Sequence, residues 1–499
     1  MQGNLGPFPH GVSWSDVPTS VIAPIASPVG LNVVFGSAPL HLTTDGQDKI
    51  NVPILVNTYE EAVAALGYSN DWATYDICEH MDAAFVEFGV SPVVYVPIND
   101  PTNNATPFAP APFVLVNGQV DTEQELIGWT IVVKDSAGTV TYEEGTDYLL
   151  SLSEDNTWIV TRITDGAIAS DTATIEVSGE VPSTEAVDPA DVIGGIDVST
   201  GLRTGLEVIE DVFQKTGLVP GVIICPKWSK DATVAAAMEA KCESINGCFA
   251  CTCLIDVDTA VVKHAADVLD WKNTNNIVFP RQELLFGKPA LLSDTASPKV
   301  FNFASQQGPL LQWTDAYRGN GLPYCSPSNK NLKMNALLRD DLSELPMHLL
   351  DANMLNGQGV ITALNFVGGW RSWGNRTAAY PANSDVKDMF IPVRRMFDYI
   401  GNTIVLTIWQ KVDEPGNRRL IDSVVNSLQL WLDGLSNQEA LLGARIEFRQ
   451  DENPTTELLN GHYTFHIYLA VPTPAEWLDF RIEYWIPYIQ NLWPAALAA

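Results

Sequence analysis

Basic side chains are scarce in this chain. Lysine and arginine contribute 28 of its 499 residues, against 60 aspartates and glutamates, so the formal net charge is −32 at pH 7. Affinity for nucleic acid comes largely from lysine and arginine neutralising phosphates, and attraction to anionic membranes has the same source. The charge balance therefore excludes a nucleic-acid partner. It favours solubility, or a protein packed at high local concentration that must avoid wrong contacts.

Long apolar runs are also missing. No run of 18 apolar residues occurs, so neither a membrane-spanning helix nor direct membrane insertion is expected. The opening stretch MQGNLGPFPHGVSW has no basic region and no apolar core, which predicts no signal peptide and folding in a cytoplasm. Apolar residues nevertheless make up 46% of the chain, enough for a packed core.

Catalytic motifs are absent as well. No Gly-Lys-Ser/Thr follows the glycines of IGGIDVSTGLRTG, Thr362 replaces the third glycine in NGQGVIT, and neither Gly-x-Ser-x-Gly nor His-Glu-x-x-His occurs. Asp256 and Asp258 end a predicted strand and are the best candidates for acid or cation chemistry, although capping of a helix by Asp258 is the favoured role. His462 and His466 share one face of a predicted strand without a third ligand. Neither an enzyme nor a cofactor is expected.

The cysteines do not have the spacing of a zinc site. Cys242, Cys248, Cys251 and Cys253 crowd into CESINGCFACTC. The last three fall in a predicted buried strand from 248 to 257, whose two faces would separate them. Small buried side chains are the favoured interpretation, no metal is expected, and reduced thiols agree with a cytoplasmic protein.

The order of the elements predicts a multidomain α+β or α/β fold. Strand–helix alternation predicts a mixed α/β core with a helix-covered, mostly parallel sheet, and regular short strands separated by glycine turns predict an inserted all-β sandwich. An amphipathic helix over 418–435 and two following strands predict a C-terminal α+β domain. The expected boundaries are 1–25 for an N-terminal extended arm, 26–100 with 186–345 for a discontinuous α/β domain, 101–185 for the insertion, 346–485 for the C-terminal core domain and 486–499 for a C-terminal arm.

Three helices and one strand are predicted at specific positions within the α/β domain. Helices are expected over 202–215, 231–242 and 258–269, where they alternate with predicted strands. A strand is expected at NIVF, from residue 276.

Both chain ends alternate as strands do. VSWSDVP and LDFRIEYW place successive side chains on opposite faces. The residues expected to pair with another subunit are Val12, Trp14, Val17, Phe480, Ile482, Tyr484 and Trp485. Such an arm cannot bury itself, so it needs a partner.

The stretch ALNFVGGWRSWGNRTAAYP, residues 363–381, combines glycines, tryptophans and arginines. A catalytic site would need a base or nucleophile near the arginines, and none is present. The large aromatic side chains, together with arginines that can form bidentate hydrogen bonds, instead predict a rigid structural joint. Its expected core residues are Trp370, Arg371, Trp373, Gly374, Arg376 and Thr377.

Five blocks of the sequence together resemble the contractile tail sheath proteins of bacteriophages and R-type bacteriocins. The blocks are NVPILVNTYEEAVAALG, IGGIDVSTGLRTGLEVIEDVFQKTGLVPGVIICPKWS, WTDAYRGNGLPYCSPSNKNL, NGQGVITALNFVGGWRSWGNRTAAYP and IPVRRMFDYIGNTI with the helix and ALLGARIEF after it. They occur in the family's order and cover most of the chain outside 101–185.

The resemblance implies a non-enzymatic polymer. Its subunits would form hexameric rings or a helical array around a tail tube protein and contract to drive that tube through a cell envelope. It also implies terminal arms that add strands to neighbouring subunits, contacts with baseplate and tail terminator proteins, and a tail particle of a virion or bacteriocin assembled in the bacterial cytoplasm. Arg418 and Arg419 match the start of a helix that touches the tube in the family.

The insertion leaves a second function open. It lies outside the shared blocks, and the alternative is that it recognises host carbohydrate through its aromatic residues, which are Trp129, Tyr142, Tyr148 and Trp158. An α/β enzyme centred on Asp256 and Asp258 is the third alternative.

Overall fold

The computed structural model describes residues 30–183, 187–293 and 297–492. The N-terminal arm expected at 1–25, with Val12, Trp14 and Val17, lies outside the described residues, as do residues 493–499 of the expected C-terminal arm. Within the described ranges, no helix combines the length and the apolar character needed to cross a membrane.

Strands and helices alternate along most of the chain. The strands up to residue 183 are β1 (Asn32–Gly36), β2 (Ile54–Val56), β3 (Val93–Pro97), β4 (Thr106–Val114), β5 (Gln119–Asp121), β6 (Val132–Asp135), β7 (Tyr148–Leu152), β8 (Trp158–Arg162) and β9 (Thr174–Val181). The later strands are β10 (Gly195–Ile196), β11 (Arg203–Thr204), β12 (Val222–Ile224), β13 (Thr252–Asp256), β14 (Gln282–Phe286), β15 (Lys288–Leu291), β16 (Lys299–Val300), β17 (Ala336–Leu338), β18 (Val360–Asn365), β19 (Trp370–Trp373), β20 (Gly443–Glu447) and β21 (His466–Ala470). The α-helices are α1 (Tyr59–Leu66), α2 (Asp76–Met81), α3 (Pro189–Ile193), α4 (Ile209–Thr216), α5 (Ala232–Glu243), α6 (Val268–Thr274), α7 (Phe303–Tyr317), α8 (Leu349–Asn356), α9 (Val386–Met389), α10 (Ile391–Ile408), α11 (Arg418–Asn437) and α12 (Thr455–Leu459).

An eight-stranded sheet with the order β19-β18-β14-β13-β12-β1-β3-β2 forms the centre of the molecule. The six inner strands are parallel to one another, and the edge strands β2 and β19 run antiparallel to their neighbours. Strands such as β1, β12 and β13 are buried along their whole length. Continuous apolar runs are typical of parallel strands covered on both faces. The mixed α/β architecture expected from the sequence is therefore confirmed.

Helix α7 packs directly on this sheet. It contacts β1, β12, β13 and β14, and most of its side chains are buried. Gly308 permits the close approach, because a Cβ atom there would lie only 2.3 Å from Cδ1 of Ile224 in β12. A residue with a side chain at this position would push the helix away from the sheet.

The inserted segment forms two three-stranded antiparallel sheets, β4-β9-β6 and β5-β8-β7. Apolar side chains from both sheets share one cluster, which includes Val133, Trp158 and Val177. The Trp158 indole donates to the carbonyl of Leu126 at 2.8 Å. The insertion is tied to the central domain by His41, whose Nε2 lies 2.8 Å from a carboxylate oxygen of Glu125.

A second unit follows the central sheet. Helices α10 and α11 pack with the hairpin β20–β21 around an apolar cluster that includes Met396, Ile400, Leu432 and Leu435. The predicted apolar stripe of α11 faces this cluster and the adjoining one. Asn417 caps α11 by accepting a hydrogen bond from the backbone of Leu420 at 3.0 Å.

Three local predictions in the central domain are wrong. Helix α4 begins at Ile209, after β11 and a 3-10 turn, rather than at 202. Residues 258–264 form no helix, because the Thr259 hydroxyl bonds to Asp340 at 2.8 Å and holds that stretch as a turn. The strand expected from 276 begins instead at Gln282. Its sequence, QELLF, starts with two polar residues at buried positions, which is why the apolar pattern does not show it.

One of those polar residues belongs to a buried charge cluster between the two units. Arg395 of α10 forms a bidentate pair with Asp315 of α7, and Glu283 of β14 lies nearby. Burial raises the pKa of Asp315 to about 6 and of Glu283 to about 7, although the positive charge of Arg395 opposes both shifts. Neither carboxylate oxygen of Glu283 has a hydrogen-bond partner among the described residues. Ionised Glu283 is therefore destabilising.

We expect the stability of the subunit to rise as the pH falls from about 8 to about 7. A carboxyl whose pKa is raised by folding takes up a proton, so stability increases as the pH drops through the folded pKa. Asp76 and Glu79, with pKa values of about 7 and 8, act in the same direction as Glu283. Glu283→Gln should raise stability at pH 8 and reduce the pH slope by up to about 1.4 kcal/mol per pH unit.

Chemical unfolding of the wild type and the variant across this pH range measures both quantities. Glu154→Gln, at an exposed turn position, is the matched control and should change neither. Equal slopes for the wild type and Glu283→Gln would contradict the assignment.

Candidate functional site

The last described residues form an exposed apolar segment. After β21 the chain runs through residues 472–485 without a strand or helix and reaches a 3-10 helix at Ile486–Leu492. We name residues 472–492 the C-terminal segment. Phe480 is 82% exposed, Ile482 97% and Tyr484 77%. No described strand pairs with these residues, so a large apolar area has no strand partner among the residues that the structure describes.

One ion pair ties this segment to the body of the molecule. Arg376 donates from Nε and Nη2 to the two carboxylate oxygens of Glu476, at 3.1 and 2.6 Å. The guanidinium also lies over the ring of Tyr380, 3.9 Å from its centroid, and near that of Phe390. Forked and stacked contacts of this kind need arginine rather than lysine. The start of the C-terminal segment is therefore fixed, and its apolar part projects beyond.

Arg376 belongs to the stretch predicted to be a rigid joint. Trp370, Arg371 and Trp373 lie in β19, the outermost strand of the central sheet. Backbone bonds from residues 329–332 cover the outer edge of β19, including Asn329 N to Ser372 O at 2.7 Å. The indole of Trp373 donates to Asn353 at 3.0 Å. This edge is therefore closed to another strand.

The turn after β19 is fixed by buried contacts. Gly374 has φ +149°, and a Cβ atom there would lie 3.0 Å from Cα of Ile361. The buried Thr377 hydroxyl donates to the carbonyl of Asp388 at 2.6 Å. Lys272 donates to the carbonyls of Gln358 and Tyr380 at 2.6 and 2.7 Å. Burial lowers the pKa of Lys272 to about 8.

The hairpin β20–β21 has two different edges. Gln429 of α11 accepts a hydrogen bond from the backbone N–H of Ile446 at 3.0 Å and donates to the carbonyl of Ala444 at 3.2 Å. Its amide thus occupies the place that a neighbouring strand would take along β20. Leu469 and Ile467 are the register partners of Ala444 and Ile446.

The opposite edge, along β21, is open. In an antiparallel pair of strands, two residues directly opposite each other behave alike: both point their backbone N–H and C=O groups towards the partner strand, or both point them away from it. The backbone groups of Ala444 and Ile446 point away from β21, towards Gln429. The backbone groups of the residues opposite them, Leu469 and Ile467, therefore point away from β20. No described strand meets them there. An open edge presents donors and acceptors to another chain.

The predicted tube-contact arginines are exposed. Arg418 and Arg419 begin α11, and the Arg418 side chain is 93% exposed. Its Nε lies 3.6 Å from a carboxylate oxygen of Asp422 one turn later. A surface pair of this kind contributes little to stability, so both arginines remain available to a partner.

The candidate catalytic carboxylates have structural contacts. Asp256 is buried and accepts hydrogen bonds from the backbone of Ala304 at 3.1 Å and from the Ser229 hydroxyl at 3.3 Å. Burial raises its pKa to about 6. Asp258 caps no helix, since residues 258–264 form a turn, and it accepts from Lys230 at 3.4 Å. No group of three or more metal-ligating side chains comes together in the described ranges.

The fold sets Cys248 apart from the other clustered cysteines and places the two histidines on different carboxylates, whereas the Sγ atoms of Cys242 and Cys251 lie 3.6 Å apart in the interior. Strand β13 begins only at Thr252, so Cys248 lies in a turn and is exposed, and its predicted place in a buried strand is wrong. Cys242, Cys251 and Cys253 are buried. His462 and His466 bind different carboxylates, of Glu457 at 2.8 Å and Glu452 at 2.7 Å.

The aromatic residues of the insertion are mostly inside it. Trp158 and Tyr148 are 2% and 3% exposed, and Trp129 and Tyr142 pack against apolar clusters. Sugar recognition needs exposed aromatic faces, so the carbohydrate-binding alternative gains no support.

Two relatives in sequence cover much of the chain. The tail sheath protein of Burkholderia phage BcepMu is 27% identical over 447 residues, which covers 86% of this chain and 89% of that protein. A putative prophage major tail sheath protein of Pseudomonas aeruginosa strain UCBPP-PA14 is 27% identical over 319 residues, or 62% of this chain and 76% of that protein. No protein-family model matches the chain.

Solved structures extend the likeness to the fold. The helical sheath of the anti-feeding prophage in its contracted state superposes with a TM-score of 0.56 at 13% identity, over 95% of this chain and 98% of that one. The sheath complex of an extracellular contractile injection system, PVC, also contracted, gives a TM-score of 0.54 at 12% identity, over 96% and 98%. The resemblance noted in the sequence is thus confirmed: homologues of this chain are tail sheath proteins of a phage and a prophage, and its fold is that of contractile sheath subunits.

Proposed function

We propose that this chain is the structural subunit of a contractile tail sheath. It polymerises as hexameric rings or a helical array around a tail tube, within a virion or bacteriocin tail particle assembled in the bacterial cytoplasm. Contraction of the array drives the tube through the target envelope. The observation that carries the proposal is the exposed C-terminal segment, whose apolar residues have no strand partner in the described part of the chain, in a homologue of tail sheath proteins.

In this proposal the segment adds a strand to a neighbouring copy. Its alternation over 480–485 suits strand pairing, and β21 offers an open edge while Gln429 closes β20. The docking edge is therefore β21, where the backbone groups of Leu469 and Ile467 point away from β20 while their side chains pack against the apolar cluster. A subunit that gives one strand and receives another forms a head-to-tail contact that does not close, which builds helices and stacked rings.

Arg376 and Glu476 determine where the arm leaves the subunit. Their pair is anchored by the stacked ring of Tyr380, so the segment begins at a fixed position on a rigid joint. The chain beyond Glu476 is then free to change direction as subunits rotate, while the strand contact itself stays intact. On this account the joint supports contraction mechanically rather than chemically.

Replacing apolar residues of the arm should prevent polymerisation without unfolding the subunit. Phe480→Ala with Ile482→Ala removes two side chains that a neighbour would bury, each contributing about 1.5–3 kcal/mol, so each contact should weaken by about a hundredfold or more. Sedimentation and negative-stain microscopy of the purified chain measure the polymer. The matched control is Arg481→Ala with Glu483→Ala, on the other face of the same stretch. Normal polymers from the apolar double variant would contradict the arm model.

A proline on the open edge of β21 tests the docking site. Leu469→Pro removes an N–H that points away from β20, so the hairpin should persist while an incoming strand is blocked. Tyr468→Pro removes an N–H directed towards β20 and should lower the thermal midpoint of the subunit instead. Electron microscopy and calorimetry together separate the two effects. Full-length polymers from a folded Leu469→Pro protein would rule out β21 as the edge used.

The tube contact is proposed at the start of α11. Arg418→Glu with Arg419→Glu should abolish assembly on tail tubes, because it reverses the exposed positive charge there. Co-assembly with purified tubes measures the effect. Lys134→Glu with Lys215→Glu changes the net charge equally at positions outside this helix and should leave assembly intact. Normally sheathed tubes from the arginine variant would reject the contact.

A further inference from the structure

Four basic side chains meet in one cleft near the edge of the central sheet. Arg318 follows α7, Lys330 lies in the segment that covers β19, Lys333 comes directly after that segment, and Arg371 lies in β19 itself. Phe88, Trp313, Asn329 and Asn331 also line this cleft, which has a volume of about 280 Å³. We name this the basic cleft. Such a concentration of positive charge is unexpected in a chain with a net charge of −32.

These cations have no carboxylate partners within the described ranges. Elsewhere most arginines and lysines pair with acids, as Arg395 does with Asp315 and Lys299 with Asp82. In the described part of the chain, none of the four cations of the basic cleft forms an ion pair. Their polar contacts are weaker: Arg371 donates to Asn329 at 2.8 Å and Lys330 to the carbonyl of Ser328 at 3.4 Å.

The other two cations lie against aromatic rings. The Arg318 guanidinium is 6.0 Å from the ring centroid of Trp313, and the Lys333 ammonium is 5.9 Å from that of Phe88. These rings hold the long side chains at the cleft without neutralising them. Nε of Arg371 is buried and has no hydrogen-bond partner among the described residues.

Crowding of like charge makes the free cleft unfavourable. Burial, and then the neighbouring Arg318 and Arg371, lower the pKa of Lys330. Anionic groups entering the cleft would remove this repulsion and add charge-assisted hydrogen bonds. The cleft is therefore complementary to carboxylates rather than to a neutral ligand.

We propose that the basic cleft binds acidic side chains of a second copy of this chain. The inference rests on the proposed polymer, in which neighbouring copies supply the nearest carboxylates. Copies that carry 60 acidic residues each repel one another, so close packing requires sites where the charges are opposite. Nucleic acid is a poor occupant because the rest of the surface repels phosphate. The cleft would thus orient neighbours that the C-terminal segment has joined.

Charge reversal in the cleft tests this inference. Arg318→Glu with Lys333→Glu alters the two exposed cations, and the matched control is Lys134→Glu with Lys215→Glu, which has the same net charge. Sedimentation of the purified chains over a protein dilution series should show that the cleft variant needs about tenfold more protein to polymerise, while the control stays near the wild type. Calorimetry checks folding, and Arg318→Ala with Lys333→Ala should give an intermediate loss.

The possible results lead to different conclusions. If the cleft variant and the control polymerise alike, the inference is overturned while the sheath function stands. If the cleft variant polymerises normally alone but fails to coat tubes, the occupant belongs to the tube and a second copy is ruled out. If the wild type forms no polymer, the proposed function itself fails.

Discussion

An extended segment cannot bury its own apolar side chains or satisfy its own backbone in a strand ladder. The C-terminal segment has this problem, because Phe480, Ile482 and Tyr484 face solvent and no described strand pairs with them. The same subunit has an open strand edge at β21 and a closed one at β20. The unpaired C-terminal segment of one copy can therefore pair with the open β21 edge of another copy. The proposed polymer follows from that single constraint.

The rest of the subunit is rigid enough to use such a connection. Helix α7 approaches the central sheet closely at Gly308, the edge strand β19 is covered by residues 329–332, and Lys272 bridges two carbonyls in the interior. Arg395 and Asp315 join the two structural units through a buried pair. Breaking such a pair on one side is strongly destabilising, so the units are expected to move together. The arms then accommodate the motion of one copy relative to another.

Much of the fold follows from local sequence patterns. Strand β13 and the stripe of α11 are visible in the sequence, because burial on both faces leaves a continuous apolar run in a strand and burial on one face leaves a helical period. Strand β14 is not visible, since its buried Glu283 depends on charges that come from α7 and α10. Gln429 carries no signal either, because a glutamine on the polar face of a helix looks the same whether it meets water or a strand edge. The role of Glu476 likewise cannot be predicted from the sequence, because this residue pairs with Arg376 only when the fold brings the two together.

The most direct measurement of the central claim is a cryo-electron microscopy reconstruction of the assembled polymer in which individual strands can be traced. Residues around 480–485 of one copy should run beside β21 of another copy and form backbone hydrogen bonds with Ile467 and Leu469. A reconstruction in which the C-terminal segment folds back onto its own subunit, with β21 left unpaired or paired to β20 alone, would contradict it.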